Sequence, residues 1–454
     1  MAESLRIVVV GSGPAGFYAA GHLLTGVGDR EVMIDMVDRL PTPFGLVRSG
    51  VAPDHPKIKS VTRVFEKTAA HARFRFFGGV EFGRDVMREE LRSRYHVIVY
   101  ATGSSADRPM GIPGEGLAGS WAATDLVGWY NAHPDYADLE FDLSGERAVV
   151  VGNGNVALDV ARMLVLAPAE LALTDTADHA IDALAGSAIR EVVVLGRRGP
   201  GQAAFTNPEL RELGELEDVD VVVDAEQLEA ALAVSDPDMN ATAKRNVEIL
   251  RGYAQRPSRG ASRRIELRFL RSPLELIGDR RVQALLVARN QLVEGDAGSL
   301  KAVATGHRET IETGLVLRAI GYRGLPLAGV PFDGRRGTIA NEHGRVIGDD
   351  GPAVGEYAVG WIKRGPSGVI GTNKKDAQET VDVILADAEA GRVLTPDLAV
   401  SDLQDLLTAR KNGVVGYDGW ERIDRHERAR GEPTGRPRVK LTGLGEMLRI
   451  AAGE

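Results

Sequence analysis

Two stretches of the chain carry the same change of hydrophobic period. The apolar run from Leu5 to Val10 breaks at Gly11-Ser12-Gly13-Pro14-Ala15-Gly16, and residues 14–25 continue with apolar positions at helical spacing. The run from Arg147 to Val151 breaks at Gly152-Asn153-Gly154-Asn155-Val156-Ala157, and 155–166 continue in the same way. A short apolar run bounded by glycine predicts a strand buried on both faces, and the following period of about 3.6 predicts a helix. Such a strand, glycine turn and helix present backbone N–H groups and a positive helix end to a pyrophosphate. Two units of this kind imply two dinucleotides.

The same reading extends along the chain. Residues 31–37 read as a strand ending at Asp38, 40–60 as irregular, and 63–70 as a helix. Short strands are predicted at 74–77 and 95–100, and a second set at 191–195, 263–269, 282–289 and 314–320. The middle ones alternate as half-buried antiparallel strands do. Residues 167–188 form a mostly helical insert. The tail adds a strand at 356–359, a glycine-rich turn, and a helix from about Lys374 that Thr372 and Asn373 are placed to cap. Boundaries fall near 109–114 and 321–324, which gives domains of 1–108 with 325–454, and 109–324. The expected fold class is α/β, with two Rossmann-like three-layer domains of the glutathione-reductase kind, one inserted in the other.

Composition narrows the chemistry. With 454 residues, 43% hydrophobic and 26% charged, the chain is long enough for two or three domains. The net charge of −9 offers nucleic acid no general attraction. There is no cysteine, which excludes disulfides, cysteine-ligated zinc, iron–sulfur clusters and a redox-active thiol pair. No apolar run approaches the roughly 20 residues of a membrane span. The start, Met-Ala-Glu-Ser-Leu-Arg, leaves no room for a signal peptide, so a cytoplasmic location is expected.

Asp38, at the end of the second strand, is placed to accept hydrogen bonds from an adenosine ribose. After the strand at 191–195 comes Gly196-Arg197-Arg198-Gly199, with no acid at that position. Two guanidiniums suit a 2′-phosphate, so the second turn should prefer NADP to NAD. The segment 40–59 is stiffened by prolines and carries His55, either a ligand wall or a surface histidine. In 359–376, Gly368 to Gly371 can bring bare backbone against a planar ring, and Trp361 either stacks on a cofactor or fills core.

These segments together resemble the adrenodoxin reductase family and its bacterial NADPH-ferredoxin reductases of the FprA type. The carrying stretches are Val10 to Gly16, Pro43 to Pro56, Val151 to Asp159, Gly196 to Pro200 and Gly360 to Thr372. The resemblance implies an FAD domain built from both ends of the chain and an NADP domain between them. FAD would lie on Gly11, Gly13, Ala15, Gly16, Asp38, Leu46, Trp361, Gly368, Val369 and Ile370. Many relatives carry Glu where Asp38 stands. NADP(H) would contact Arg108, Asn153, Gly154, Asn155, Val156, Arg197, Arg198 and Glu209. Glu209 would orient the arginine pair or accept from a ribose hydroxyl.

The implied activity is that of a ferredoxin–NADP+ reductase, with hydride transfer from NADPH to FAD followed by single-electron transfer to an acidic ferredoxin-type iron–sulfur protein. His55 and Asp159 are candidates for tuning flavin electrostatics or moving its proton, and Glu212 for a place near the nicotinamide. Arg211 matches a partner-binding position of the family; Lys244, Arg245 and Arg251 lie in a similar region. The alternatives are an NADPH diaphorase, a flavin monooxygenase and a non-enzymatic NADPH-sensing module.

Overall fold

The computed structural model describes residues 4–26, 31–233, 239–295, 300–397 and 399–454. The chain forms two compact units. One comprises Met1–Ala106, Asn131–Pro134 and Tyr322–Glu454, the other Asp107–Tyr130 and Asp135–Gly321.

The first unit is built on a seven-stranded sheet in the order Asn341–Glu342, Arg345–Gly348, Gly351–Ala358, Val97–Tyr100, Leu5–Val10, Val32–Asp38 and Phe74–Gly78. The last five pair in parallel, and the first two add an antiparallel edge. Alternate residues of one strand feed opposite cores, as the twofold period of a strand requires. Ile7 and Val9 pack with Leu23 of the helix Pro14–Gly26 and with Val381 and Ile384 of the helix Thr372–Glu389. Val8 and Val10 pack on the other face with Tyr100, Val346, Leu403 and Leu407. The result is three layers, with the glycine turn after Val10 at the carboxyl end of the central strand.

The second unit repeats this plan. Its six-stranded parallel sheet runs Ser120–Ala122, Leu315–Arg318, Arg147–Val151, Glu191–Leu195, Arg263–Arg268 and Val219–Val222. A separate antiparallel sheet joins Arg271–Ile277, Ala284–Glu294 and Leu300–Glu312. Val149, Val193 and Val316 of the large sheet share one core with Leu285, Val287 and Ile311 of the small one.

Several expectations need correction. The strand at 263–268 alternates in burial yet pairs in parallel on both sides. Alternation reports that one face is less covered; it does not report pairing direction. The strand read at 282–289 runs instead from Ala284 to Glu294. The irregular stretch 40–60 contains two single-turn helices, Leu46–Ser49 and Pro56–Lys59. Thr372 and Asn373 do not cap the tail helix. Gly371 is its N-cap, the Thr372 hydroxyl accepts from Val369 N at 3.1 Å, and Asn373 Oδ1 accepts from Arg364 at 2.8 Å. The helices Ala123–Tyr130, Ala241–Gln255, Leu403–Arg410, Tyr417–Gly431 and Leu444–Ala452 do not follow a strand and double-glycine turn and were not among the predicted elements. Among the described residues no helix is long and apolar enough to cross a membrane.

Candidate functional site

In the first unit, the glycines of the turn after Val10 serve two purposes. Gly11 has φ +106°, and a Cβ there would lie 2.6 Å from the Ala101 carbonyl oxygen. A Cβ on Gly16 would lie 2.2 Å from Gly11 O. Both are needed for strand and helix to pack. At Gly13 a Cβ would meet no protein atom within 4 Å, so this glycine leaves room for a ligand to approach the backbone. Asp38 ties the turn down, accepting from Ser12 N at 2.8 Å, Ser12 Oγ at 2.6 Å and Leu40 N at 2.9 Å. A carboxylate has about four acceptor positions, so one remains for a ribose hydroxyl.

The segment from Pro43 lies against this turn. Phe44 N donates to Ser12 O at 3.0 Å, and a Cβ on Gly45 would stand 3.0 Å from Gly13 Cα. Phe44 has φ 84°, a strained value for a residue with a side chain, and Gly45 takes φ 48° without that cost. Leu46 is 39% exposed beside it, and His55 is buried at the start of the helix Pro56–Lys59. What fixes the loop was not visible in the sequence. Arg48 reaches Glu427 through hydrogen bonds of 2.8 and 2.5 Å, both side chains are buried, and the guanidinium lies 5.1 Å from the Trp420 ring centre. Lys440 Nζ adds a bond to Arg48 O at 3.1 Å and another to Asn131 Oδ1 at 2.9 Å. Burial by itself would raise the Glu427 pKa. Arg48, Arg438 and the Leu441 N–H outweigh it and hold the carboxyl below its ordinary value.

The tail returns to the same turn. Gly360 has φ +73° and no room for a side chain, because a Cβ would fall 2.5 Å from Ala15 Cβ. Its N–H donates to Asp376 Oδ2 at 2.6 Å. Trp361 follows at once. Its Nε1 is buried and has no hydrogen-bond partner among the described residues, so it suits an acceptor brought by a ligand. Gly368, at φ +79°, opens the turn that carries Val369 and Ile370. Open Gly13, the orphan indole N–H and the residual acceptor of Asp38 fit a dinucleotide with a planar ring.

The second unit has the equivalent turn. Gly152, at φ +141°, would place a Cβ 2.2 Å from Ala319 O, while Gly154 is open within 4 Å. Asn153 O accepts from Ala204 N at 2.9 Å and Asn155 Oδ1 from Thr206 N at 2.8 Å, which pins the segment 204–206 across the turn. Val156 is half-buried and Ala157 fully buried on the same helix. Arg197 and Arg198 are exposed, and neither guanidinium has an ion-pair partner among the described residues. Their backbones are held, Arg197 O by Asn290 Nδ2 at 2.8 Å and Arg198 O by Leu270 N at 3.1 Å. Two free forks on a fixed turn suit a phosphate dianion. A cavity of about 520 Å³ opens beside this turn, lined by Gln227, Phe269, Arg271, Arg289, Asn290 and His307 among others. Arg108 is also exposed.

Asp159, Glu209 and Glu212 gather around a residue the sequence reading passed over. Arg162 is 2% exposed; it bonds Asp159 Oδ1 at 2.8 Å and lies 3.8 Å from both Glu209 and Glu212. The signal was a lone arginine on the buried stripe of an otherwise apolar helix, three residues after Asp159. Arg245 and Arg251 are each neutralised locally, by Glu248 at 2.5 Å and Glu229 at 2.7 Å. Arg211 and Lys244 are exposed.

Two sheets with parallel strands at their centres, each with one strand ending in a glycine turn with an open middle position, define a two-dinucleotide oxidoreductase. Residues 5–194 match the family of pyridine nucleotide-disulphide oxidoreductases. The chain lacks the cysteines of that family's disulfide chemistry. It is 52% identical, over 98% of its length and 99% of the relative's, to the NADPH-ferredoxin reductase FprA of Mycobacterium tuberculosis. It is 44% identical to the mitochondrial NADPH:adrenodoxin oxidoreductase of Salvelinus fontinalis, over 99% of this chain and 92% of that one. The solved structure of Mycobacterium tuberculosis FprA in complex with NADPH superposes with a TM-score of 0.94 at 51% identity, covering 99% of this chain and 100% of that one. The chain belongs to the NADPH-ferredoxin reductase family that includes adrenodoxin reductase.

Proposed function

We propose that this protein is a flavoprotein oxidoreductase that passes electrons from NADPH through FAD to a ferredoxin-type iron–sulfur protein. The observation that carries the reading is the pair of glycine turns with different downstream partners, Asp38 in one unit and the free Arg197–Arg198 pair in the other, in a chain that is family-like over its whole length. Bound FAD supplies the chemistry that joins a hydride donor to a one-electron acceptor.

The protein's own part is to hold and orient. The unit of the two chain ends takes FAD, on the Gly11–Gly16 turn, Asp38, Leu46, Trp361 and Gly368 to Ile370. The unit between takes NADPH, with its pyrophosphate on Asn153 to Val156 and its 2′-phosphate on Arg197 and Arg198. The cavity beside that turn has room for the adenosine. Arg108 is a further phosphate contact. Arg162 orients Glu209 and Glu212 and gives Asp159 a fixed partner, so Asp159 acts by position and charge. His55, packed at the head of its helix, sets the electrostatics of the flavin side. Arg211 and Lys244 serve an acidic partner. The reaction belongs to the cytoplasm.

Purified protein should be yellow, bleach on anaerobic addition of NADPH, and reduce a ferredoxin. A colourless protein that stays colourless with added FAD would refute the reading. Bleaching without ferredoxin reduction would leave a diaphorase.

A further inference from the structure

The segment Pro56–Ala69 is an electrostatic exception. It carries Lys57, Lys59, Arg63 and Lys67 against one acid, Glu66, in a chain whose net charge is −9. Lys59 turns inward, with Nζ 3.4 Å from Asn131 Oδ1. Lys57, Arg63 and Lys67 are exposed, and none has a carboxylate partner among the described residues. Between them stand two large aliphatic side chains, Ile58 at 39% and Val64 at 51% exposure. Glu66 acts toward Tyr417, whose pKa it helps to raise after burial has done most.

The opposite side of the segment is anchored. Phe65 is fully buried, its ring 5.1 Å from Phe17 and 5.3 Å from Tyr18. The helix Thr62–Ala69, which carries Arg63, Val64 and Lys67, is therefore anchored through its buried side. Exposed aliphatic side chains interleaved along the chain with unpaired cations make a transient protein-docking surface, in which the aliphatics supply burial and the cations supply steering. The segment also continues directly from His55 and the loop that lies against the Gly13 turn.

We infer that the exposed face formed by Lys57, Ile58, Arg63, Val64 and Lys67 is a docking surface for the iron–sulfur partner. This rests on the electron-transfer reading above. An iron–sulfur cluster is ligated by thiolates and sulfides that outweigh the iron charge, so the partner's cluster end is negative. A basic apolar face on the segment that follows the loop against the Gly13 turn complements that charge. Arg245 and Arg251, already neutralised, contribute less to steering than these three free cations.

The test compares wild type with Lys57→Glu/Arg63→Glu/Lys67→Glu. The probe is an acidic plant-type [2Fe–2S] ferredoxin, used across a salt series. The charge-reversed variant should keep its flavin content and NADPH–ferricyanide activity. Its KM for ferredoxin should rise on the order of tenfold or more at low salt, with a flattened salt dependence. Ile58→Ser/Val64→Ser should raise the same KM without changing the salt slope. An unchanged KM and salt slope in the charge-reversed variant, with ferredoxin still reduced, would overturn this inference and leave the reductase reading intact. A wild type that neither binds nor reduces the ferredoxin would overturn both. Binding of the face to anionic-lipid vesicles, with the ferredoxin KM unmoved, would assign it to a membrane and also overturn the inference.

Discussion

Arg48 and Glu427 stand 379 residues apart in the chain and are joined by a buried two-point ion pair of 2.8 and 2.5 Å. Through it, the helix Tyr417–Gly431 holds the loop that lies against the first glycine turn. Removing one partner of such a pair leaves a buried charge unsatisfied, at a cost of about 3–5 kcal/mol. Glu427→Ala should therefore unfold at clearly lower temperature and release FAD more readily than wild type, as measured by thermal melts and by flavin fluorescence on dilution.

The same pair sets an acid limit. The Glu427 pKa is depressed in the folded protein, so its contribution is fully present above the ordinary glutamate value of about 4.3. That contribution is lost as pH falls through the depressed folded value. The stability difference between wild type and Glu427→Gln should be constant from neutral pH down to about 5 and should shrink below about 4. Urea unfolding at a series of pH values reads this directly. A gap that widens on acidification would contradict it.

Gly152 and Gly154 separate folding from binding. Gly152→Ala should be strongly destabilising, since φ is +141° and the new Cβ would lie 2.2 Å from Ala319 O. At Gly154 φ is −106° and the space is open, so Gly154→Ala should melt close to wild type. It should nonetheless raise KM for NADPH, because the methyl stands where a pyrophosphate must approach the backbone. Gly13→Ala should do the same for FAD retention.

Replacing Arg197 and Arg198 together with Gln should raise KM for NADPH on the order of tenfold or more, as the loss of charge-assisted phosphate contacts requires. KM for NADH should hardly change. Equal rises for both cofactors would place the 2′-phosphate elsewhere.

Arg162→Met would leave Asp159, Glu209 and Glu212 without their shared cation. The variant should lose about 3–5 kcal/mol of stability and bind NADPH more weakly. Adding Glu209→Gln to it should restore part of the stability, since one of the repelling charges is then gone.

The glycine turns, the strands feeding them, the acid at 38 and the arginines at 197 and 198 were legible because each depends on near neighbours. A positive φ, a tight strand-to-helix turn and a phosphate-sized gap are local requirements, and they leave a local pattern of glycine and charge. Pairing direction was not legible, and the strand 263–268 misled, because burial alternation follows the covering layer. The helices Leu403–Arg410, Tyr417–Gly431 and Leu444–Ala452 and those of 205–255 follow no strand-and-double-glycine turn, and their local marks are single caps such as Asp224, Asn240 and Asp402. Arg48 with Glu427, Arg162 with Glu209 and Glu212, and Gly360 against Ala15 were decided only by the tertiary fold. Each is a contact whose free energy exists only once distant segments meet in a space from which water is excluded, and no spacing along the chain encodes it.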